Sequence, residues 1–166
     1  YPGSRMMDAV VGNDTTVESS VLLSCTVGSH TTVGPFAYLR PQASVGDHCR
    51  IGDFVEIKNS RIDDGTKVSH LTYVGDSDLG KRINLGCGVV FVNYDGKVKH
   101  RTTIEDDAFI GCNVNLVSPV HVGKSAYVAA GSTVDQDVPA DALYIARSRG
   151  VIKEGWVPNR KEKGKL

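Results

Sequence analysis

Two cations and a histidine are the residues best suited to chemistry in this sequence. Arg40 and Lys58 are eighteen residues apart, and His70 follows twelve residues after Lys58. Two stacked cations repel each other unless an anion lies between them, and a phosphate would accept the forked hydrogen bonds of Arg40 and the point charge of Lys58. Histidine is the residue type whose ordinary pKa suits proton removal near neutral pH, so His70 is the candidate base. The alternative is that the two cations pair separately with nearby carboxylates, namely Glu56, Asp53 or Asp47.

These residues stack only if the chain repeats with the right period, and an aliphatic residue does recur every six positions from Val21 to Ile57. A period of six fits neither a helix nor a half-buried strand, and it is typical of a parallel β-helix of hexapeptide repeats with three strands per coil. Eighteen residues then make one coil, so Arg40 and Lys58 are expected on one face. The competing interpretation is an ordinary β-sandwich. The pattern continues at Ile62, Val68, Val74, Leu79, Leu85, Phe91, Ile104, Ile110, Leu116, Val122, Val128 and Val134.

The interruptions of this period predict the domain organisation. Residues 1–8 carry no repeat and are expected to be a disordered start or a non-native leftover. Residues 9–138 form the β-helix, from which the segment 92–103 leaves as a loop. Residues 139–166 are predicted to hold a short helix, in the run from Ala140 to Gly150, and a basic tail.

Composition excludes several classes of partner. The 166 residues carry 19 basic and 19 acidic side chains, so no global field attracts nucleic acid or a membrane surface. No apolar run is long enough to span a membrane, and no leader is recognised. The four cysteines are far apart, which indicates reduced thiols and a cytoplasmic location.

The histidines do not predict a metal site. His30, His48, His100 and His121 lie at corner-like or loop positions and are interpreted as surface residues, with no close pair among the five histidines. A three-histidine zinc site would need ligands from several subunits and is kept as a minor alternative. Because a β-helix has flat faces, a ligand site is expected in a groove between protomers or beneath the loop, most simply in a threefold assembly.

The motifs add a resemblance that the period alone does not give. They resemble, in order and spacing from about residue 9 to 157, the acetyltransferase half of the bacterial bifunctional GlmU enzymes. The segments are GPFAYLRP, IGDFVEIKNSRI, SHLTYVGD, INLGCG, VNYDG, FIGCNVNLVSPV, VAAGSTV and KEGW. The resemblance implies a left-handed parallel β-helix and a homotrimer. It also implies transfer of acetyl from acetyl-CoA to the amine of glucosamine 1-phosphate, without a metal. The nucleotidyltransferase half of that family has no counterpart here, so UDP-sugar synthesis is not expected.

The same resemblance assigns residues. It makes His70 the general base, and it makes Arg40, Lys58, Tyr73 and Asn84 the sugar-phosphate binders. The acetyl-CoA contacts that it implies are Cys87, Asn93, Tyr94, Cys112, Ala130 and Arg147. Cys112 departs from a common serine and Cys87 from a small alanine; a thiol hydrogen-bonds only weakly.

Direct transfer in a ternary complex is expected, with Asn84 or a backbone N–H stabilising the oxyanion. Three other functions stay open. A nucleophilic Cys87 or Cys112 would give ping-pong kinetics and an acetylated protein. A trimeric scaffold would bind neither ligand, and a sister acyltransferase would use another amino sugar.

Overall fold

Three parallel sheets form the protein and wind together into a β-helix. The computed structural model describes residues 1–165. In it, neighbouring strands of each sheet are parallel and belong to successive coils. Sheet order and register therefore follow from the six-residue period, in which three short strands complete one coil. Within the described residues a single α-helix follows the coils.

The strands are numbered in chain order and assigned here by sheet. Sheet A contains β1 (Arg5–Met7), β4 (Val21–Leu23), β7 (Tyr38–Leu39), β10 (Glu56–Lys58), β13 (Tyr73–Gly75), β16 (Val90–Val92), β19 (Asn115–Val117) and β22 (Thr133–Val134). Sheet B contains β2 (Val10–Val11), β5 (Thr26–Val27), β8 (Ser44–Val45), β11 (Arg61–Ile62), β14 (Ser77–Leu79), β17 (Thr102–Ile104) and β20 (His121–Val122). Sheet C contains β3 (Thr16–Val17), β6 (Thr32–Val33), β9 (Arg50–Asp53), β12 (Lys67–His70), β15 (Asn84–Leu85), β18 (Phe109–Ile110), β21 (Tyr127–Val128) and β23 (Leu143–Tyr144). The helix α1 spans Trp156–Glu162.

The core is the column of aliphatic side chains that the period predicts. From Val27 to Val134 the repeated residues are buried, with Leu39, Ile51 and Ile57 fully enclosed. Each coil contributes three inward side chains, and stacking buries a continuous column that no single coil could bury. At the start the period is wrong by one residue, because Leu22 is buried and pairs with Leu39 whereas Val21 is only half-buried.

A glycine follows several of the inward residues, among them Val27, Val33 and Val45. A positive φ at these sites is not the general rule; at Gly28 the backbone of the next coil leaves no room for a side chain. A Cβ there would lie 2.6 Å from the carbonyl carbon of Gly46. The left-handed corners are occupied mostly by residues other than glycine, including His30, Phe54 and Leu71. Close approach between coils therefore selects these glycines.

The structure differs from the prediction at both ends of the chain. Residues 1–8 were expected to be without structure, but β1 pairs with β4 in register. The run from Ala140 to Gly150 was expected to be helical, but it contains β23, which continues sheet C beside β21. Tyr144 stands one coil above Val128, so the repeat continues and tertiary pairing overrides the local helical pattern.

The helix lies later, in the segment expected to be a basic tail. In α1 the Arg160 guanidinium lies 4.9 Å from the centre of the Trp156 ring, a separation that suits a cation–π contact one helical turn apart. Within residues 1–165 no helix is long and apolar enough to cross a membrane.

Candidate active site

Arg40 and Lys58 stack on sheet A, as their spacing predicts. Lys58 ends β10, and Arg40 directly follows β7 in the neighbouring coil; the Arg40 N–H donates to the carbonyl of Ile57 at 2.8 Å. The Arg40 guanidinium lies 5.9 Å from the centre of the Tyr38 ring and donates to Glu56 at 2.8 Å. The Arg40 side chain therefore extends along sheet A towards the N-terminal ends of β7 and β10.

Each cation has a carboxylate partner. Arg40 pairs with Glu56, one of the partners weighed in the alternative, and the hydrogen bond raises the pKa of Arg40. Lys58 pairs not with Asp53 or Asp47 but with Asp76, at 3.4 Å. Glu56 and Asp76 thus partly neutralise Arg40 and Lys58. A net positive charge that could bind an anion here requires a further basic residue.

Asp76 is the centre of a buried polar network. Its side chain is only 10% exposed, and burial of a carboxylate must be compensated by hydrogen bonds and charge. Asn59 donates to one carboxylate oxygen at 2.6 Å, and Asn93 donates to the other at 2.5 Å. These bonds and the charge of Lys58 outweigh burial, so the pKa of Asp76 is lowered.

Lys99 supplies the additional cation. It projects from the segment between β16 and β17, which is closed by an antiparallel bridge between Tyr94 and Lys99. The neighbouring Lys58 ammonium lowers the pKa of Lys99, and the charge of Arg40 acts in the same direction. Three cations therefore face two carboxylates on sheet A, and an anion would relieve their repulsion.

Tyr73 and Asn93 complete this cluster. Tyr73 opens β13 beside Glu56, and its hydroxyl accepts a hydrogen bond from the Asn93 amide at 3.3 Å. Asn93 is buried, and its amide nitrogen already serves Tyr73 and Asp76. The Tyr94 hydroxyl donates to the carbonyl of Gly96 within its own loop.

His70 lies at the corner between sheets C and A, three residues before Tyr73. It ends β12 beside Asp53, and its Nδ1 lies 2.8 Å from the Asp53 carboxylate. This pair lowers the pKa of Asp53 and assigns the Nδ1 proton to the bond with the carboxylate, leaving the Nε2 lone pair as the base. The imidazole is half-exposed, and within residues 1–165 Nε2 contacts no hydrogen-bond partner.

A column of predicted acetyl-CoA contacts stands above His70 on this corner. Extending the register of sheet C by two residues aligns His70, Cys87, Cys112, Ala130 and Ala146. Four coil steps of about 4.8 Å separate the ends of this column by about 19 Å. Arg147 directly follows Ala146 and therefore lies one residue to the side of this column, in its uppermost coil. Its Cδ would lie 3.6 Å from a Cβ built on Gly131. Asn84 faces outward from β15, one coil above Lys67.

The predicted acetyl-CoA residues therefore divide between two corners of one chain. Cys87, Cys112 and Ala130 stand at the corner between sheets C and A, whereas Asn93 and Tyr94 follow β16 at the other end of sheet A. An extended ligand that touches both sets would cross sheet A of one chain, or would bind where the corner of one chain lies against sheet A of another.

The sequence argument did not find Asp76 and Lys99. The spacing gave no clean signal for Asp76, because the slip after Ile57 shortens this coil to seventeen residues and the register partner of Lys58 is Gly75. Lys99 had no signal either, since it belongs to the inserted segment and has no place in the repeat. The Asp53–His70 pair spans seventeen residues, one coil shortened by the slip after Ile57.

The inserted segment has its own ion pair, and we expect its carboxylate to titrate at unusually low pH. His100 Nε2 lies 2.6 Å from Asp95, whose pKa is lowered from 3.8 to about 2, mainly by this contact. A depressed carboxylate pKa stabilises the folded loop above about pH 4, and this contribution is lost as the pH falls through about 2. Carbon NMR of the Asp95 carboxyl should show the low midpoint, and in His100→Gln the midpoint should rise towards 3.8. An unmoved midpoint in that variant would contradict the assignment.

Known proteins share these features. Residues 24–59 and 101–136 match the family model described as bacterial transferase hexapeptide (six repeats). The chain is 58% identical over 160 residues to the bifunctional protein GlmU of Clostridium acetobutylicum, covering 96% of this chain and 35% of that protein. It is 59% identical over 156 residues to GlmU of Acetivibrio thermocellus, covering 94% and 34%. The chain thus spans about a third of the length of these curated relatives.

Solved structures show the same fold at low identity. The UDP-N-acetylglucosamine acyltransferase of Campylobacter jejuni aligns with a TM-score of 0.64 at 17% identity, over 97% of this chain and 77% of that one. A hexapeptide transferase family protein of Anaplasma phagocytophilum aligns with a TM-score of 0.51 at 15% identity, over 95% and 87%. The repeats, the three-sheet β-helix and the high identity to two GlmU proteins agree: the chain belongs to the GlmU family, of which it represents a hexapeptide-repeat portion.

Proposed function

We propose that this chain is an acetyl-CoA-dependent N-acetyltransferase that converts glucosamine 1-phosphate to N-acetylglucosamine 1-phosphate, on the route to UDP-N-acetylglucosamine. The observation that carries the proposal is the convergence of Arg40, Lys58 and Lys99 on sheet A, the sheet whose strand β13 begins just after the corner that holds the Asp53–His70 pair. The cations supply a phosphate site, and the imidazole supplies a base.

The chemistry begins with the amine of the sugar. An ammonium has no lone pair, so the sugar reacts as the neutral amine, whose extra proton has passed to solvent. His70 Nε2 accepts one N–H proton of that amine as the nitrogen attacks the thioester carbon. The carbon–sulfur bond then breaks, CoA leaves as its thiolate, and the imidazolium returns the proton to sulfur. Asp53 holds the ring and stabilises the imidazolium. Asn84 or a backbone N–H stabilises the oxyanion. That this reaction uses no metal stays a prediction.

Acetyl-CoA is proposed to lie along the column above His70. Arg147 then meets the CoA phosphates, and the small residues Cys87 and Ala130 leave room for the extended arm. A homotrimer completes the site, because Asn93 and Tyr94 lie at the other end of sheet A from this column. The four cysteines are free, which supports a reducing compartment and the proposed cytoplasmic location.

Release of free CoA tests this proposal. The protein should release CoA from acetyl-CoA when glucosamine 1-phosphate is present, and more slowly with other amino-sugar phosphates. Stabilisation by acetyl-CoA in a thermal-shift titration separates an enzyme from a non-catalytic scaffold. An unacetylated intact mass after incubation with acetyl-CoA alone counts against a cysteine nucleophile. No CoA release with any amino sugar would refute the proposal.

Lys99 should contribute to phosphate binding although it lies outside the repeat. We expect Lys99→Ala to raise KM for the sugar phosphate about tenfold, in the range of a lost hydrogen bond to a charged group, with little change in kcat. Lys97→Ala is the matched control, because Lys97 is an exposed lysine of the same segment and is not placed in the cluster. Equal KM values for the two variants would exclude Lys99 from the phosphate site.

A further inference from the structure

At the corner that holds His70, the exposed side chains change from large and apolar to small or polar. In the column beside His70, the three positions in the coils above are small or polar, whereas the three from its own coil downwards are large and apolar. The register aligns, from bottom to top, Phe36, Phe54, Leu71, Gly88, Asn113 and Gly131. The change from Leu71 to Gly88 occurs between the coil of the proposed base and the coil above it.

The apolar part of this column is unfavourable for folding alone. Phe36, Phe54 and Leu71 have φ values of 59°, 55° and 45°, in the left-handed region that bulky side chains rarely adopt. All three side chains are more than half exposed. The rings of Phe36 and Phe54 stack with centroids 5.5 Å apart, so they form a continuous wall. The exposure of three large apolar side chains in one column indicates a functional surface.

The role of this wall depends on the path of the cosubstrate, and it therefore rests on the proposed function. CoA descends the column from Arg147 and places its thioester beside His70. The thioester carbon is trigonal, so its acyl group points away from sulfur and from the CoA arm. An acyl chain longer than acetyl would therefore continue down the corner, onto Leu71 and then Phe54.

We propose that Leu71, supported by Phe54, restricts the transferred acyl group to acetyl. Leu71 directly follows His70 and its side chain is exposed, so each methylene added to the acetyl group must displace the Leu71 side chain or bend away from the base. Discrimination by apolar packing is worth about 10–200-fold for one methylene. The residue determines specificity and takes no part in proton transfer.

Replacement of Leu71 by glycine tests this proposal. Glycine accepts the positive φ without strain, so Leu71→Gly should fold and should open the wall. We expect kcat/KM for butyryl-CoA relative to acetyl-CoA, measured by CoA release with glucosamine 1-phosphate, to rise at least about tenfold. Leu71→Asn is the second variant if the glycine protein does not fold, because Asn113 already holds a positive φ in this column.

Phe36→Ala is the matched control. Phe36 belongs to the same exposed wall but lies two coil steps, about 10 Å, below Leu71. It should leave the butyryl-to-acetyl ratio unchanged, whereas a general effect of the wall on assembly would appear in both variants. A ratio that Leu71→Gly leaves at the wild-type value would overturn the proposal, and so would loss of acetyl transfer in a folded variant. Wild-type protein without any acetyl transfer would instead refute the proposed function.

Discussion

His70→Ala is expected to lower kcat about 10²–10⁴-fold, the usual loss for a removed general base. Nε2 of His70 is the atom that accepts the amine proton, and no other described residue stands at that place on the corner with its ring fixed by a carboxylate at 2.8 Å. Steady-state kinetics with acetyl-CoA and glucosamine 1-phosphate measures the change.

Two further variants define the role of the imidazole. Asp53→Asn should give a smaller loss of kcat, because it removes the charge that stabilises the imidazolium and keeps the side-chain size. His48→Ala is the matched control, since His48 is a corner histidine that stacks on His30 at 4.9 Å, away from sheet A. Wild-type turnover in His70→Ala would remove the base assignment.

Arg40→Ala is expected to raise KM for the sugar phosphate about 10–10²-fold, with a much smaller change in kcat. The guanidinium offers a fork that matches two phosphate oxygens, and loss of a hydrogen bond to a charged group costs about 1.5–3 kcal/mol. Its existing bond to Glu56 must be shared or exchanged when the phosphate binds.

The control for Arg40 is another exposed arginine. Arg61 pairs with Asp63 at 2.8 Å on sheet B, outside the cation cluster. Arg61→Ala should leave KM for the sugar phosphate at the wild-type value. If Arg40→Ala does the same, the phosphate does not bind at the stacked cations.

The core was predictable because the six-residue period leaves one inward position per strand. That position is set by stacking alone, so Leu39, Ile51 and Ile57 could be identified without any local signal for strands. The period failed where spacing shortened to five residues, between Val17 and Leu22, because the sequence offered adjacent apolar residues there. It also could not predict β23, in which pairing with β21 overrides a run that suits a helix.

The site was predictable only in part. Arg40 and Lys58 were found together because their separation equals one coil. The partner of Lys58 and the contribution of Lys99 were not found, because they depend on how the inserted segment folds back over sheet A. The spacing between Lys58 and His70 did not place His70 at the corner between sheets, since a slip of one residue lies between them.

One comparison of substrates tests the central claim, that cations on sheet A hold the phosphate while His70 acts on the amine. We would measure kcat/KM with glucosamine 1-phosphate and with glucosamine, for wild type, Arg40→Ala and His70→Ala. Wild type should prefer the phosphorylated sugar about 10²-fold or more, Arg40→Ala should lose most of that preference, and His70→Ala should slow both substrates equally. An equal preference in wild type and Arg40→Ala would contradict the account.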